Sequence, residues 1–128
     1  MLIPVTALYG ALNAILNIGL AANVSRNRAK HNVSLGSGQS NEMEIAMRAH
    51  GNNAEFVPLG LVMLLIAELS GGASLWLHVL GGSLLLGRVL HPIGMPLKAP
   101  NPPRFIGTTL TWVMIVATAA YCLVLRYR

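Results

Sequence analysis

The chain has little charge, and very little negative charge. Only 10% of its 128 residues are charged and its acidic residues are four glutamates, whereas a typical soluble domain has about 25% charged residues. Hydrophobic residues make up 54% of the chain, which predicts a membrane protein. The net charge of +5 could suggest a nucleic-acid partner, but aromatic residues are scarce at 5% and the basic residues lie between apolar segments. We therefore attribute the charge to orientation in a membrane and expect membrane lipid, not nucleic acid, as a partner.

Cysteine and clustered metal ligands are also scarce. The single Cys122 lies in an apolar segment, which excludes a disulfide framework and indicates a buried, inert thiol. His50 and His91 have no third ligand at a recognisable spacing, so no metal site is predicted.

Four apolar segments are long enough to cross a bilayer as helices. We predict helices at residues 2–24, 41–70, 73–93 and 102–125, within one domain that covers residues 1–128. Asn41 and Glu44 resemble a capping box at the start of the second helix. Asn101 followed by Pro102 is typical of a helix start, and Pro92 and Pro96 should kink or end the third helix. The predicted fold is an all-α integral membrane protein, a bundle of four transmembrane helices.

The basic residues predict the orientation of this bundle. Arg26, Arg28 and Lys30 follow the first helix, and Lys98 lies between the third and fourth helices. Both loops are then on the same side of the membrane. The excess of Lys and Arg in cytoplasmic loops predicts that this side is cytoplasmic, with both termini on the other side.

The second helix has the most informative polar residues. Arg48, Asn52 and Glu55 are spaced four and three residues apart, so on a helix they share one face. A carboxylate near the hydrocarbon costs about 3 kcal/mol or more unless it faces protein, a partner charge or a water-filled cavity. Glu55 and its neighbours are therefore the best candidates for a functional site.

These residues resemble a known family. The pattern Arg-x-His-x-Asn-x-x-Glu from Arg48 to Glu55, followed by Arg-x-x-His from Arg88 to His91, is similar to the MAPEG family, the membrane-associated proteins of eicosanoid and glutathione metabolism. The resemblance covers nearly the whole chain and is closest to the small bacterial members. It implies a multi-pass protein of a bacterial inner membrane.

The resemblance also implies an assembly, a ligand and a set of site residues. Characterised members are homotrimers that bind glutathione at subunit interfaces near the cytoplasmic side. By this resemblance, Arg104 at the start of the fourth helix lies near the glutathione sulfur and is the expected catalytic residue. The residues expected to bind glutathione or hold its site together are Arg48, Asn52, Glu55, Arg88 and His91.

These residue types suit the chemistry of glutathione, which has two carboxylates and one ammonium group. The planar fork of Arg binds a carboxylate bidentately, and Glu55 could receive the ammonium or hold an Arg in place. A nearby Arg104 favours the thiolate that attacks an electrophile, and a helix N-terminus adds partial positive charge. The expected activity is that of a glutathione-dependent transferase or peroxidase, acting on lipophilic small molecules that enter from the bilayer.

Other interpretations of the same residues remain open. Many catalytic members have a second Arg where this chain has Gly51, and several have a Tyr where it has Met95. These two departures favour a non-catalytic membrane scaffold or lipid-binding trimer of the same fold. Glu55 and Arg88 could instead form an ion pair between helices, and Arg104 could anchor a lipid headgroup. A four-span drug exporter is disfavoured, because such exporters depend on a carboxylate in the first span and this one has none.

Overall fold

The computed structural model describes residues 2–127 and contains four long helices in this range. Helix α1 spans Pro4–His31, α2 spans Asn41–Leu69, α3 spans Ser74–Gly94 and α4 spans Pro102–Leu125. Consecutive helices pack antiparallel. The starts of α1 and α3 and the ends of α2 and α4 therefore lie together at what we call the turn end. The loops after α1 and α3 lie at the opposite loop end. The predicted all-α four-helix bundle is confirmed.

Helix α1 is longer than predicted. It ends at His31 and not near residue 24, so Arg26, Arg28 and Lys30 lie on its last two turns and not in a loop. At 1.5 Å per residue α1 is about 42 Å long, more than the roughly 30 Å of a hydrocarbon core. The apolar residues of α1 end near residue 24, but the polar turns that follow remain helical. The helix ends before Asn32, which adopts a left-handed conformation with φ of 53°.

Helix α2 begins at Asn41, but the cap is not the predicted one. Ser40 is the N-cap, and its hydroxyl oxygen accepts a hydrogen bond from the Met43 N–H at 3.2 Å. Asn41 is the first helical residue and the third helical residue is Met43, so the predicted capping box of Asn41 and Glu44 does not form. Pro58 lies inside α2 without ending it.

Helix α3 ends at Gly94, between Pro92 and Pro96, the two prolines predicted to kink or end it. The predicted start of α4 is confirmed. The Asn101 side-chain oxygen accepts a hydrogen bond from the Arg104 N–H at 3.0 Å. Its amide group also donates to the Gly94 carbonyl at 3.0 Å, which ties the end of α3 to the start of α4.

Helices α3 and α4 approach each other closely because two glycines face each other. A Cβ atom at Gly107 would lie 2.7 Å from the Gly87 carbonyl oxygen, and one at Gly87 would lie 2.8 Å from the Gly107 carbonyl oxygen. Small residues at a crossing let helix backbones meet in this way. Helix α1 packs on α2 and α3 and, within residues 2–127, makes no contact with α4.

Buried residues differ between the two ends of the bundle. The apolar core runs from the turn end to the middle of the bundle and consists of Val5, Leu64, Ala67, Leu77, Leu84, Met114 and Leu125. Buried polar residues are more frequent toward the loop end, where they include Asn27, Arg88, His91 and Asn101.

Helices α1, α2 and α4 are long and apolar enough to cross a membrane. Helix α3 has 21 residues and includes His78, Arg88 and His91, which lower its mean hydropathy. Large apolar side chains such as Ile15, Trp76 and Val116 are exposed on the outside of the bundle, as lipid contact requires. The chain is a helical membrane protein.

Candidate functional site

A polar cleft opens at the loop end of the bundle. Its walls are the start of α2, the loop after α3 and the first turn of α4, and its volume is about 480 Å³. We call it the basic cleft, because three cations line it with one carboxylate. Its lining residues are Asn41, Glu44, Ile45, Arg48, Met95, Pro96, Leu97, Lys98 and Arg104.

The charged groups of the basic cleft have no counter-ions within the described residues. Salt bridges in this part of the chain involve only Glu42, which pairs with Lys30 at 2.7 Å and His31 at 3.0 Å. Hydrogen bonds from the Lys30 ammonium and then from His31 lower the pKa of Glu42 from its ordinary value. Glu42 therefore ties α1 to α2. The cations of the cleft and Glu44 remain free to meet a ligand.

A buried polar cluster lies about one turn deeper than the cleft. Arg88 is 1% exposed, and its Nη1 donates to the Asn52 side-chain oxygen at 2.8 Å. Its Nη2 donates to the Gly107 carbonyl at 3.3 Å, and its guanidinium lies 5.9 Å from the centroid of the Phe56 ring. The Asn52 and Gly107 oxygens and the face of the Phe56 ring partly offset the large free-energy cost of burying the guanidinium cation.

The polar atoms of this cluster are not fully satisfied. Arg88 Nε and His91 Nδ1 are buried and have no hydrogen-bond partner between residues 2 and 127. His91 is 5% exposed and lies one turn after Arg88. A Cβ atom at Gly107 would lie 2.7 Å from its backbone nitrogen, so His91 packs directly on α4.

The structure thus divides the six predicted site residues into three groups. Arg48 and Arg104 line the basic cleft, and Asn52 bonds to Arg88 beneath it with His91 nearby. Glu55 is exposed and makes no ion pair with Arg88 in the described chain, contrary to the alternative of an interhelical ion pair.

The sequence interpretation missed two residues of the cleft, Glu44 and Lys98. Glu44 was assigned to a helix cap, although its spacing of four from Arg48 predicts that both side chains lie on one face of α2. Lys98 was used only to orient the chain. No local signal places it in the cleft, because its position depends on how the loop after α3 returns to α4.

The start of α4 contributes a side chain and not backbone donors. Pro102 and Pro103 have no N–H, and the Arg104 N–H already donates to the Asn101 side chain at 3.0 Å. The helix N-terminus therefore cannot donate its first amide groups to a ligand. Any strong interaction from α4 must come from the Arg104 guanidinium.

Arg104 also borders a second cavity. An apolar groove of about 390 Å³ lies beside the first turns of α4 and is lined by Phe105, Thr108, Trp112 and the loop residues 99–101. Arg104 is the residue that lines both this apolar groove and the basic cleft. A polar compartment and an apolar compartment therefore meet at one guanidinium group.

Comparisons with known proteins agree with this architecture. The model of the MAPEG family matches residues 6–124. The chain is 37% identical over 121 residues to the inner membrane protein YecN of Escherichia coli strain K12, an alignment that covers 91% of this chain and 92% of that protein. YecN of Escherichia coli O6:H1 strain CFT073 matches with the same identity and coverage.

Proposed function

This chain belongs to the MAPEG family, and on that basis we propose that it is a glutathione-dependent transferase or peroxidase that acts on lipophilic electrophiles within the membrane. The observation that carries the proposal is the basic cleft, in which Arg48, Lys98, Arg104 and Glu44 surround about 480 Å³ without internal ion pairs. Small-molecule sites occupy roughly 300–1,000 Å³, so the cleft is large enough for a peptide thiol.

The charges of the cleft complement those of glutathione. Its two carboxylates need cations, and Arg48, Lys98 and Arg104 provide them. Charge-assisted hydrogen bonds from Arg to a carboxylate are about twice as strong as neutral ones. Because the cations have no carboxylate partner within residues 2–127, binding does not require an ion pair between described residues to break.

The chemistry assigned to Arg104 is stabilisation of the thiolate. A positive charge beside the sulfur lowers the thiol pKa, so the proton passes to water and the thiolate is the nucleophile. In conjugation, the sulfur forms a bond to the electrophilic carbon, and the leaving group departs with its electron pair. In peroxide reduction, two thiols become a disulfide while the peroxide becomes an alcohol and water.

The apolar groove beside Arg104 suits the second substrate. It is lined by Phe105 and Trp112, two aromatic side chains that are exposed on the outside of the bundle. A lipophilic electrophile in this groove would reach the sulfur at the point where Arg104 separates the two cavities. This arrangement would bring together a water-soluble thiol and a membrane-soluble acceptor, which otherwise occupy different phases.

We also propose a homotrimer with its loop end in the cytoplasm. Glu55 is exposed at the point where the polar residues of α2 give way to an apolar run, and a carboxylate that faces lipid is strongly disfavoured. A neighbouring subunit that packs on this face of α2 would shield it. Native mass measurement in detergent tests the trimer. Accessibility of a cysteine introduced at Lys98 tests the orientation.

The activity is tested by conjugation of glutathione to a chloronitroaromatic electrophile, with the protein in lipid vesicles. We expect turnover that Arg104→Ala lowers at least tenfold. Arg126→Ala is the matched control, because it removes the same charge from the opposite end of α4. Wild-type turnover no faster than that of empty vesicles, with both this electrophile and a lipid hydroperoxide, would contradict the proposal.

A second candidate, a non-catalytic scaffold or lipid-binding trimer, is favoured by Gly51 and Met95. Met95 places an apolar side chain in the basic cleft, and at Gly51 a Cβ atom would meet nothing within 4 Å. Glutathione binding without turnover would favour this candidate over the enzyme.

A further inference from the structure

We propose that a small cavity between α1 and α2 binds the hydroxyl group of a membrane-soluble alcohol. The cavity has a volume of about 210 Å³, and we call it the amide cavity because Asn13 and Asn17 of α1 line it. It shares no lining residue with the basic cleft or with the apolar groove beside α4. The inference therefore does not depend on the proposed function.

The helix interface around the amide cavity has an excess of hydrogen-bond acceptors. Asn13 is 0% exposed, and its Nδ2 donates to the Tyr9 carbonyl at 2.8 Å. Asn53 Nδ2 donates to Asn17 Oδ1 at 3.0 Å. The Oδ1 atoms of Asn13 and Asn53 are buried and have no partner within residues 2–127. Because buried polar atoms in native proteins almost always have a partner, these oxygens call for a donor from outside the chain segment described.

Pro58 adds a further acceptor to the wall of the cavity. Proline has no N–H, so Pro58 cannot donate to the Ala54 carbonyl four residues earlier in α2. Both residues line the amide cavity and both are exposed on the outside of the bundle. In a membrane, a carbonyl freed by proline is tolerated where another group satisfies it. A ligand of this cavity must therefore donate a hydrogen bond.

The position and lining of the cavity disfavour ions. Asn13 lies about 14 Å along α1 from Pro4, at 1.5 Å per residue, which is near the middle of a hydrocarbon core about 30 Å thick. Among residues 2–127, no Asp, Glu, Lys or Arg lines the cavity. An ion would thus be buried at membrane depth without a counter-charge, at a large cost.

The remaining lining favours an alcohol over an ether or a single water molecule. An ether oxygen only accepts hydrogen bonds and would add to the excess of acceptors. One water takes about 30 Å³ of liquid volume, which leaves most of the cavity unfilled beside Ala14, Val57 and Leu61. An alcohol brings a donor to the amide groups and a hydrocarbon chain to these apolar side chains.

The spacing of the two asparagines fits one hydroxyl group. Asn13 and Asn17 are four residues apart, so their Cβ atoms lie about 6 Å apart on one face of α1. A hydroxyl has one donor hydrogen and two acceptor lone pairs. It would donate to Asn13 Oδ1 and accept from Asn17 Nδ2, since the Asn17 oxygen already accepts from Asn53. Ala14 and Ala54 are exposed at the mouth, so the chain of the alcohol can extend into lipid.

The test uses a long-chain primary alcohol that carries a photoreactive diazirine on its chain, and the methyl ether of the same compound as the probe without a donor. The wild-type protein in phosphatidylcholine vesicles is labelled with each probe, and the labelled residues are mapped by mass spectrometry. We expect the alcohol to label the α1 and α2 residues of the amide cavity at least fivefold more than the ether does.

Three variants assign this preference to the cavity. Asn13→Leu removes the free acceptor at similar side-chain size and should abolish the preference. Asn23→Leu is the matched control, because it replaces an asparagine of the same helix that does not line the cavity, and it should keep the preference. Ala14→Leu retains every polar group but fills the mouth, so it should lower labelling of the cavity by the alcohol at least fivefold.

Equal labelling of the cavity by both probes, or an unchanged preference in folded Asn13→Leu, would overturn the inference. Labelling spread over the outside of the bundle without enrichment at the cavity would also overturn it, and would leave water or a neighbouring subunit as the donor. If Asn13→Leu does not fold, Ala14→Leu decides, because undiminished labelling of its cavity would contradict binding there. None of these outcomes depends on glutathione.

Discussion

The two ends of the bundle use the same residue type for opposite purposes. At the turn end, Glu68 accepts hydrogen bonds from the Val5 N–H at 2.8 Å and the Thr6 N–H at 2.7 Å. It thereby caps α1, whose N-cap residue Ile3 has no capping side chain. At the loop end, Glu44 faces the basic cleft without a partner in the described chain. Glu68 therefore stabilises the fold through helix amide groups, whereas Glu44 is available to a ligand.

Several other polar groups show the same contrast, although the Thr6 hydroxyl at the turn end is buried without a partner in the described chain. The Tyr121 hydroxyl accepts a hydrogen bond from the Ala73 N–H at 2.8 Å and closes the turn between α2 and α3. At the loop end, the Arg88 guanidinium keeps an unpartnered Nε, and Arg48 and Arg104 are exposed. The turn end is therefore built for stability, and the loop end keeps unsatisfied polar groups as functional sites often do.

The largest effect on stability is expected from Gly107→Ala. The added Cβ would lie 2.7 Å from both the Gly87 carbonyl oxygen and the His91 backbone nitrogen, and backbone atoms cannot move aside cheaply. We expect a loss of about 3 kcal/mol, measured by thermal unfolding in detergent. Gly51→Ala is the control, because nothing lies within 4 Å of its added Cβ. Equal stability of the two variants would contradict the close crossing of α3 and α4.

The next largest effect is expected from Asn52→Leu. It removes the acceptor 2.8 Å from Arg88 Nη1 and leaves a buried cation with one partner fewer, at a cost of about 2 kcal/mol. Asn17→Leu is the matched control, since it removes the acceptor of a bond between two neutral amides, Asn53 to Asn17 at 3.0 Å. It should cost about 1 kcal/mol. A loss in Asn52→Leu no greater than in the control would show that Arg88 does not depend on this bond.

Glu68→Ala should have a smaller effect that is confined to the turn end. It frees two N–H groups in the first turn of α1, and loss of a cap costs about 1 kcal/mol. Unfolding should occur at lower temperature, and glutathione affinity should not change. Glu42→Ala, which removes an exposed ion pair, should lower stability less. A loss of thiol binding in Glu68→Ala would contradict the division between the two ends.

The smallest effect on stability is expected from Arg104→Ala, because its side chain is exposed and has no ion pair in the described chain. The free energy of unfolding should change by no more than about 0.5 kcal/mol, as for ordinary surface substitutions, while thiol binding is lost. Thermal unfolding and titration of the same preparation measure both quantities. A large loss of stability would mean that Arg104 holds the fold and would remove the basis for its proposed role.

The sequence predicts the helices better than it predicts the site. Apolar runs and the Asn101–Pro102 start are local signals, so α2, α3 and α4 lie close to their predicted bounds. The extension of α1 was missed because its last turns are polar, and hydrophobic patterning does not distinguish a solvated helix from a loop. The partners of Arg88 were missed because Gly107 comes within reach only through the crossing of α3 and α4. Glu44 and Lys98 line one cleft only because the loop after α3 passes beside the start of α2.

The most direct test of the account is calorimetric titration of glutathione into the detergent-purified protein and two variants, Arg48→Ala at the loop end and Glu68→Ala at the turn end. We predict saturable binding by the wild-type protein and by Glu68→Ala, and at least tenfold weaker binding by Arg48→Ala. The absence of binding to the folded wild-type protein at millimolar thiol, or equal binding by all three proteins, would contradict a thiol site in the basic cleft.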